Sequence, residues 1–149
     1  MPRAVLEKRR ERGDLTPDHY VLETLVTTPL IATLARHHGV RAIDDLLVGF
    51  KHVARTIEEL GPGGFVFAAE ESLGYLAGTY CRDKDGAGAA LLIAEAAAEL
   101  DADGRSLFDR LDDLYQAHGC VAEFQHAVVA EGAEGQARIA RLMQALRDD

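Results

Sequence analysis

Phe65 to Ala69, FVFAA, constrains this chain more than any other segment. These apolar residues stand between a Gly61-Pro62-Gly63-Gly64 breaker and the polar run Glu70-Glu71-Ser72. A run this short, bounded by turn signals and without polar alternation, predicts a strand buried on both faces. Such a strand needs helices packed around it, and the flanking segments supply them. Val21 to Thr27 (VLETLVT) mixes β-branched and apolar residues in near alternation and predicts a second strand. Thr28-Pro29 then opens a helix, with the Thr28 hydroxyl as cap and Pro29 in the first turn. Leu30, Ile31, Leu34 and Ala35 carry its apolar face until Gly39. The pattern repeats more loosely: an extended stretch from Val40 to Val48, a Gly49-Phe50-Lys51 step, and a helix through Val53, Ile57 and Leu60. Strands feeding helices predict an α/β fold.

Beyond FVFAA lies a polar loop, Glu70 to Asp85, and then GAGAALLIAEAAAEL, Gly86 to Leu100. That helix is apolar on most of its circumference, so it is expected to be central and covered on several sides. After an Asp101-Ala102-Asp103-Gly104 turn, Ser106 and Asp109 have the spacing of a helix cap. Leu107, Phe108, Leu111, Leu114 and Tyr115 mark the expected buried stripe of that helix, up to Gly119. The two ends differ in character. Residues 1–20 predict a helical remnant and a turn, and residues 21–119 the main domain. Residues 120–149 predict a β-α segment, with a strand over Glu123–Ala130, a turn over Glu131–Gly135 and a helix over Ala137–Leu146. One strand and one helix cannot bury both their apolar faces alone, so this tail is either an appendage or the start of a further domain. Exposure is expected at Phe124, Val128 and Val129, with self-association as a consequence.

Composition excludes several classes of function. A chain of 149 residues buries a sufficient core without disulfides or a structural metal. Its longest apolar run, Ala87 to Ala98, is broken by Glu95 and is far short of the ~20 residues of a bilayer span. Met1 to Gly13 is too charged for a signal peptide, which predicts a cytoplasmic location. Cys81 and Cys120, the two cysteines, lack CxxC spacing and are expected to be free thiols. The net charge is −9, and the first thirteen residues carry a local +3 that leaves −12 for the rest. No contiguous basic stripe remains to bind nucleic acid, and Val5 and Leu6 alone make no membrane anchor.

The chemistry is concentrated in FVFAAEESLGYLAGTYCRDKDG. Open α/β sheets bind ligands at the carboxyl ends of their strands, and this loop leaves such an end carrying Glu70, Glu71 and Ser72. An ionised Glu70 accepts hydrogen bonds from sugar hydroxyls, and Ser72 both donates and accepts. Arg82 and Lys84 stand before a helix N-terminus at Asp85-Gly86, where free N–H groups and cations together favour a phosphate. By themselves these residues describe either a sugar-phosphate site or charges that solvate a surface loop. His37 and His38 adjoin a helix end, where a cation complements the dipole. His118 and His126 are expected at the surface, and Asp112 and Asp113 on a polar helix face. No metal ligands are predicted.

The order of segments resembles the third domain of the α-D-phosphohexomutases, the phosphoglucomutase and phosphomannomutase family. The matching pieces are Thr27-Thr28-Pro29, Gly49-Phe50-Lys51, Ala69-Glu70-Glu71-Ser72-Leu73-Gly74-Tyr75, and Arg82-Asp83-Lys84-Asp85-Gly86 before the Ala-rich helix. The resemblance covers Tyr20 to about Gly119, and the tail is similar to the start of the family's fourth domain. It implies a three-layer α/β/α domain with a mixed sheet, plus a C-terminal β-α appendage. The implied activity is reversible phosphoryl transfer between the 1 and 6 positions of a hexose phosphate, with Mg²⁺ and a hexose bisphosphate activator in the full-length enzymes. The GE(x)SG loop of the family assigns sugar contacts to Glu70 and Ser72, with Glu71 at the variable position. Lys84, Arg82, Gly49 and Lys51 inherit supporting substrate-binding roles. Ala69 and Leu73 depart from the pattern, standing where Gly, and Gly or His, are usual.

The family's TASHNP-like nucleophile segment, DGDGDR-like metal loop and RxSGTEP-like phosphate clamp do not occur in these 149 residues. Asp101-Ala102-Asp103-Gly104-Arg105 imitates the metal loop but is expected to be an interhelical turn. No catalytic residue is therefore assigned. The expected chain is a fragment or split subunit, inactive alone, whose partners are a hexose phosphate and the missing mutase domains in cis or trans. The rival is a non-catalytic sugar-phosphate-binding or scaffolding module.

Overall fold

The computed structural model describes residues 1–124 and 127–148. Strands β1 (Tyr20–Thr24), β2 (Arg41–Leu46), β3 (Phe65–Glu70) and β4 (Gly74–Leu76) form one sheet in the order β2-β1-β3-β4. β1 runs parallel to β2 and β3, while β4 returns antiparallel beside β3. The chain leaves β1 toward β2 and then crosses back to β3, so the carboxyl ends of β1 and β3 flank a topological switch point.

The core splits into two clusters by side-chain alternation along β1 and, in β3, by alternation after a register shift at Val66, which shares a cluster with its neighbour Phe67. On one face Val21, Phe67 and Ala69 pack with Leu6 of helix α1 (Pro2–Glu11) and with Leu30, Ile31, Leu34 and Ala35 of helix α2 (Leu30–His37). On the other, Leu22, Phe65 and Ala68 pack with Phe50, Val53 and Ile57 of helix α3 (Phe50–Leu60). All six residues of β3 are buried, as expected of a strand covered on both faces. Helix α1 belongs to this core through Leu6, and its Lys8 bridges Glu95 and Glu99 of helix α4 (Gly86–Ala102) at 2.9 and 2.8 Å.

Several sequence expectations are corrected. β1 ends at Thr24, and Leu25 to Thr27 form a turn in which the Thr27 N–H donates to the Thr24 carbonyl at 2.8 Å. Pro29, not Thr28, is the N-cap of α2. The polar loop contains β4, because Tyr75 and Leu76 pair with Ala69 and Ala68. Helix α4 is a surface helix: Ala89, Ala96 and Leu100 are buried, whereas Leu91 is exposed. Its alanines bury little surface wherever they point, so they do not demand cover. Helix α5 (Leu107–His118) has the predicted Ser106–Asp109 capping box but buries none of its stripe fully, and Phe108 is 80% exposed.

The tail also differs from expectation. Among the described residues of 123–130 no strand forms, and Gln125 and His126 lie outside the described residues. Helix α6 spans Gly132–Asp148, beginning within the predicted turn. Phe124 is 93% exposed, and Val128 and Val129 are exposed as predicted. Among the described residues, no helix is long and apolar enough to cross a membrane.

Candidate functional site

The candidate site is built where β3 ends. Alternation turns Ala69 toward α2 and Glu70 toward α3, so the Glu70 carboxylate is driven into the sheet face beside the Gly49 corner. Glu70 is 2% exposed. Gly74 lies directly opposite it on β4, and a Cβ there would stand 2.6 Å from Glu70 Cγ. Glycine at that position is what gives the carboxylate its space. Gly49, the residue before α3, has φ 119°, a conformation that L side chains rarely adopt.

Glu70 Oε1 accepts from Ser72 Oγ at 2.9 Å and from Lys84 Nζ in an ion pair. Burial pushes the Glu70 carboxyl up. The hydrogen bonds from Lys84 and Ser72, the Lys84 charge and the Gly49 N–H outweigh that and hold it below the ordinary carboxylate range. Glu70 is therefore an anion at neutral pH. Its Oε2 is buried without a hydrogen-bond partner among the described residues. The same ion pair, led by its hydrogen bond, raises the Lys84 ammonium above its ordinary value.

The structure thus brings together Glu70, Ser72, Lys84 and Gly49, and leaves two predicted residues apart. Arg82 pairs with Glu58 of α3 and donates to the Thr79 and Cys81 carbonyls at 2.8 and 3.1 Å. Lys51 is exposed in the first turn of α3. The phosphate position predicted at the start of α4 is taken by a side chain. Asp85 is the N-cap, its Oδ1 accepting from the Gly88 N–H at 2.9 Å and its Oδ2 from the Tyr80 hydroxyl. The carboxylate of the chain itself thereby supplies the negative charge that the helix end favours.

Two features were not legible beforehand. The Glu71 carboxylate, assigned to a variable position, accepts from the Thr24 hydroxyl at 3.0 Å. Leu73, at the tip of the turn, has φ 60° and is 76% exposed. A leucine in the left-handed region is uncommon, and such strain concentrates at functional loops. Elsewhere, His37 packs edge-on against His118 with centroids 4.9 Å apart, joining the ends of α2 and α5. Asp101 and Ala102 close α4, and Asp103 to Arg105 make the turn toward α5, with Arg105 bonded to Asp113 at 2.5 Å. That sequence does not fit a Mg²⁺ loop, since its carboxylates stand exposed at a helix end. Among the described residues no group of three His, Cys, Asp or Glu is arranged to hold a metal ion.

Comparison with known proteins gives this geometry a context. Residues 3–118 match the family described as phosphoglucomutase/phosphomannomutase, alpha/beta/alpha domain III. A phosphoglucomutase of Staphylococcus haemolyticus is 38% identical over 133 residues, covering 88% of this chain and 24% of the relative. One from Staphylococcus epidermidis is 33% identical over 146 residues, covering 97% of this chain and 27% of the relative. A crystal structure of a Thermus thermophilus protein assigned as a phosphomannomutase shares the fold, with a TM-score of 0.60 at 22% identity over 79% of this chain and 25% of that one. The chain therefore spans about a quarter of the length of the relatives it matches. With its mixed four-stranded sheet between helical layers and a match over most of its length, this chain belongs to the phosphoglucomutase/phosphomannomutase family, as the α/β/α domain III.

Proposed function

We propose that this chain is the sugar-recognition domain of a phosphohexomutase, binding a hexose phosphate on the face that carries Glu70 and Ser72. The observation that carries the reading is the convergence of Glu70, Ser72, Lys84 and Gly49 at the carboxyl end of β3. An ionised, buried carboxylate is a strong acceptor for paired sugar hydroxyls, and Ser72 adds a donor that turns with the substrate. Lys84 is the movable member. When its exposed ammonium turns to a substrate phosphate, Glu70 Oε1 is released to a hydroxyl, so one displacement prepares both contacts. Arg82, paired with Glu58, and the exposed Lys51 stand outside this convergence and would have to swing toward it to meet a substrate.

The activity served is phosphoryl transfer between the 1 and 6 positions of the hexose, completed by domains that carry the nucleophile, the Mg²⁺ loop and the phosphate clamp. Phosphoryl transfer depends on metal and cationic stabilisation of the moving group. The chain alone is accordingly expected to bind without turnover. Two-dimensional amide NMR tests this by titration with glucose 6-phosphate and then glucose 1,6-bisphosphate. Selective shifts at residues 70–75 and 82–86 are expected. A dispersed spectrum that stays unchanged at millimolar ligand would overturn the binding role, and mutase turnover by the pure chain would overturn its incompleteness.

A further inference from the structure

The residue beside Glu70 does something the family pattern does not ask of it. Thr24, the last residue of β1, is fully buried, and its hydroxyl donates to Glu71 Oε2 at 3.0 Å. The Thr27 hydroxyl lies 2.7 Å from the Thr24 hydroxyl. A carboxylate only accepts, so the Thr24 proton is committed to Glu71 and Thr27 must be the donor to Thr24. The result is a directed chain, Thr27 to Thr24 to Glu71, that joins the turn after β1 to the turn after β3 across the switch point.

The turn it holds is the one that needs holding. Glu70 must keep its carboxylate buried, Ser72 must bend back to bond it, and Leu73 must stay at φ 60°. On the far side the Glu70–Gly74 pairing of β3 with β4 fixes the turn. On the near side the Thr24 hydroxyl is the partner that fixes Glu71. Strained conformations persist where the surroundings over-determine them.

We propose that Glu71 is a positioning residue: latched to Thr24 and Thr27, it holds the Glu70–Ser72 turn in the geometry that receives the sugar. The consequence for sugar rests on the binding role above, whereas the latch itself rests on the turn alone. The test uses the full chain in three variants, Thr24→Val, Glu71→Ala and Glu71→Gln. Valine has the shape of threonine and Glu71 is exposed, so all three are expected to fold. Thr24→Val and Glu71→Ala should speed amide exchange at Gly74, the residue paired with Glu70 across the turn, about fivefold to tenfold, the effect of losing roughly one hydrogen bond, and weaken glucose 6-phosphate by a similar factor. Glu71→Gln keeps an acceptor for Thr24 and should stay within about twofold of the parent on both.

Unchanged exchange in Thr24→Val and Glu71→Ala would overturn the latch. Faster exchange with unchanged affinity would reduce it to a local brace and overturn the positioning role. A Glu71→Gln variant as impaired as Glu71→Ala would overturn it too, since charge and not the hydrogen bond would then be at work. If the parent chain binds no sugar phosphate, the exchange measurement still decides the latch, and the binding role is what fails.

Discussion

β1 and β3 are neighbouring parallel strands, and each buries one glutamate near its carboxyl end: Glu23 toward α2, Glu70 toward α3. Each is 2% exposed. Their fates are opposite. Burial pushes the Glu23 carboxyl up to about 7, against a single backbone donor, the Ala32 N–H at 3.1 Å, and its Oε2 has no partner among the described residues. Asp44 and Glu123 raise it further, and Arg36 only partly offsets them. Glu70 is no more exposed, but it lies less deeply packed and has Lys84 and Ser72, and it is held below the ordinary range. The difference teaches that exclusion from solvent alone does not decide the state of a carboxylate. A cation and a hydroxyl delivered from outside the strand do, and they turn one of two similar positions into a fixed anion at the candidate site.

The comparison breaks most completely at Lys84. Glu70, with its lowered pKa, stabilises the fold above the ordinary carboxylate range, and that stability is lost as pH falls through the folded pKa. In Lys84→Met burial becomes dominant, the carboxyl moves above its ordinary value, and stability is lost as pH rises instead. Urea midpoints measured from acidic to mildly alkaline pH should show the reversal; a variant with the pH profile of the parent would refute the pairing.

Glu23→Gln sharpens the contrast from the other side. The folded pKa of Glu23 is raised, so its contribution is present below about 4.5 and lost as pH rises toward about 7. Replacing it with an amide that does not titrate should flatten that decline. Relative to the parent, the variant should gain roughly 3 kcal/mol between pH 4 and pH 8, read from the same denaturation series. The smallest effect is expected at Leu73→Gly, which relieves the left-handed conformation at φ 60°. Part of the relief is offset by the greater freedom of glycine in the unfolded chain, leaving about 0.5 kcal/mol of stabilisation. A loss of stability at Leu73→Gly would show that the leucine side chain itself secures the turn.

What the sequence determined by itself is whatever local periodicity and chain chemistry encode. FVFAA had to be a buried strand, the strand-helix alternation had to give an α/β fold, and Ser106 with Asp109 had to begin a helix, because each needs only neighbours within one turn. The Glu70–Ser72 bond was also within reach, its partners being two residues apart. Tertiary structure decided the rest. Lys84 meets Glu70 across 14 residues, Arg82 meets Glu58 across 24, and Thr24 meets Glu71 across 47. β4 is a strand because β3 stands beside it, and α4 is a surface helix because its neighbours cover a single stripe. Hydrophobic spacing specifies which face of an element seeks cover; which charged group then stands against it depends on the path of the whole chain.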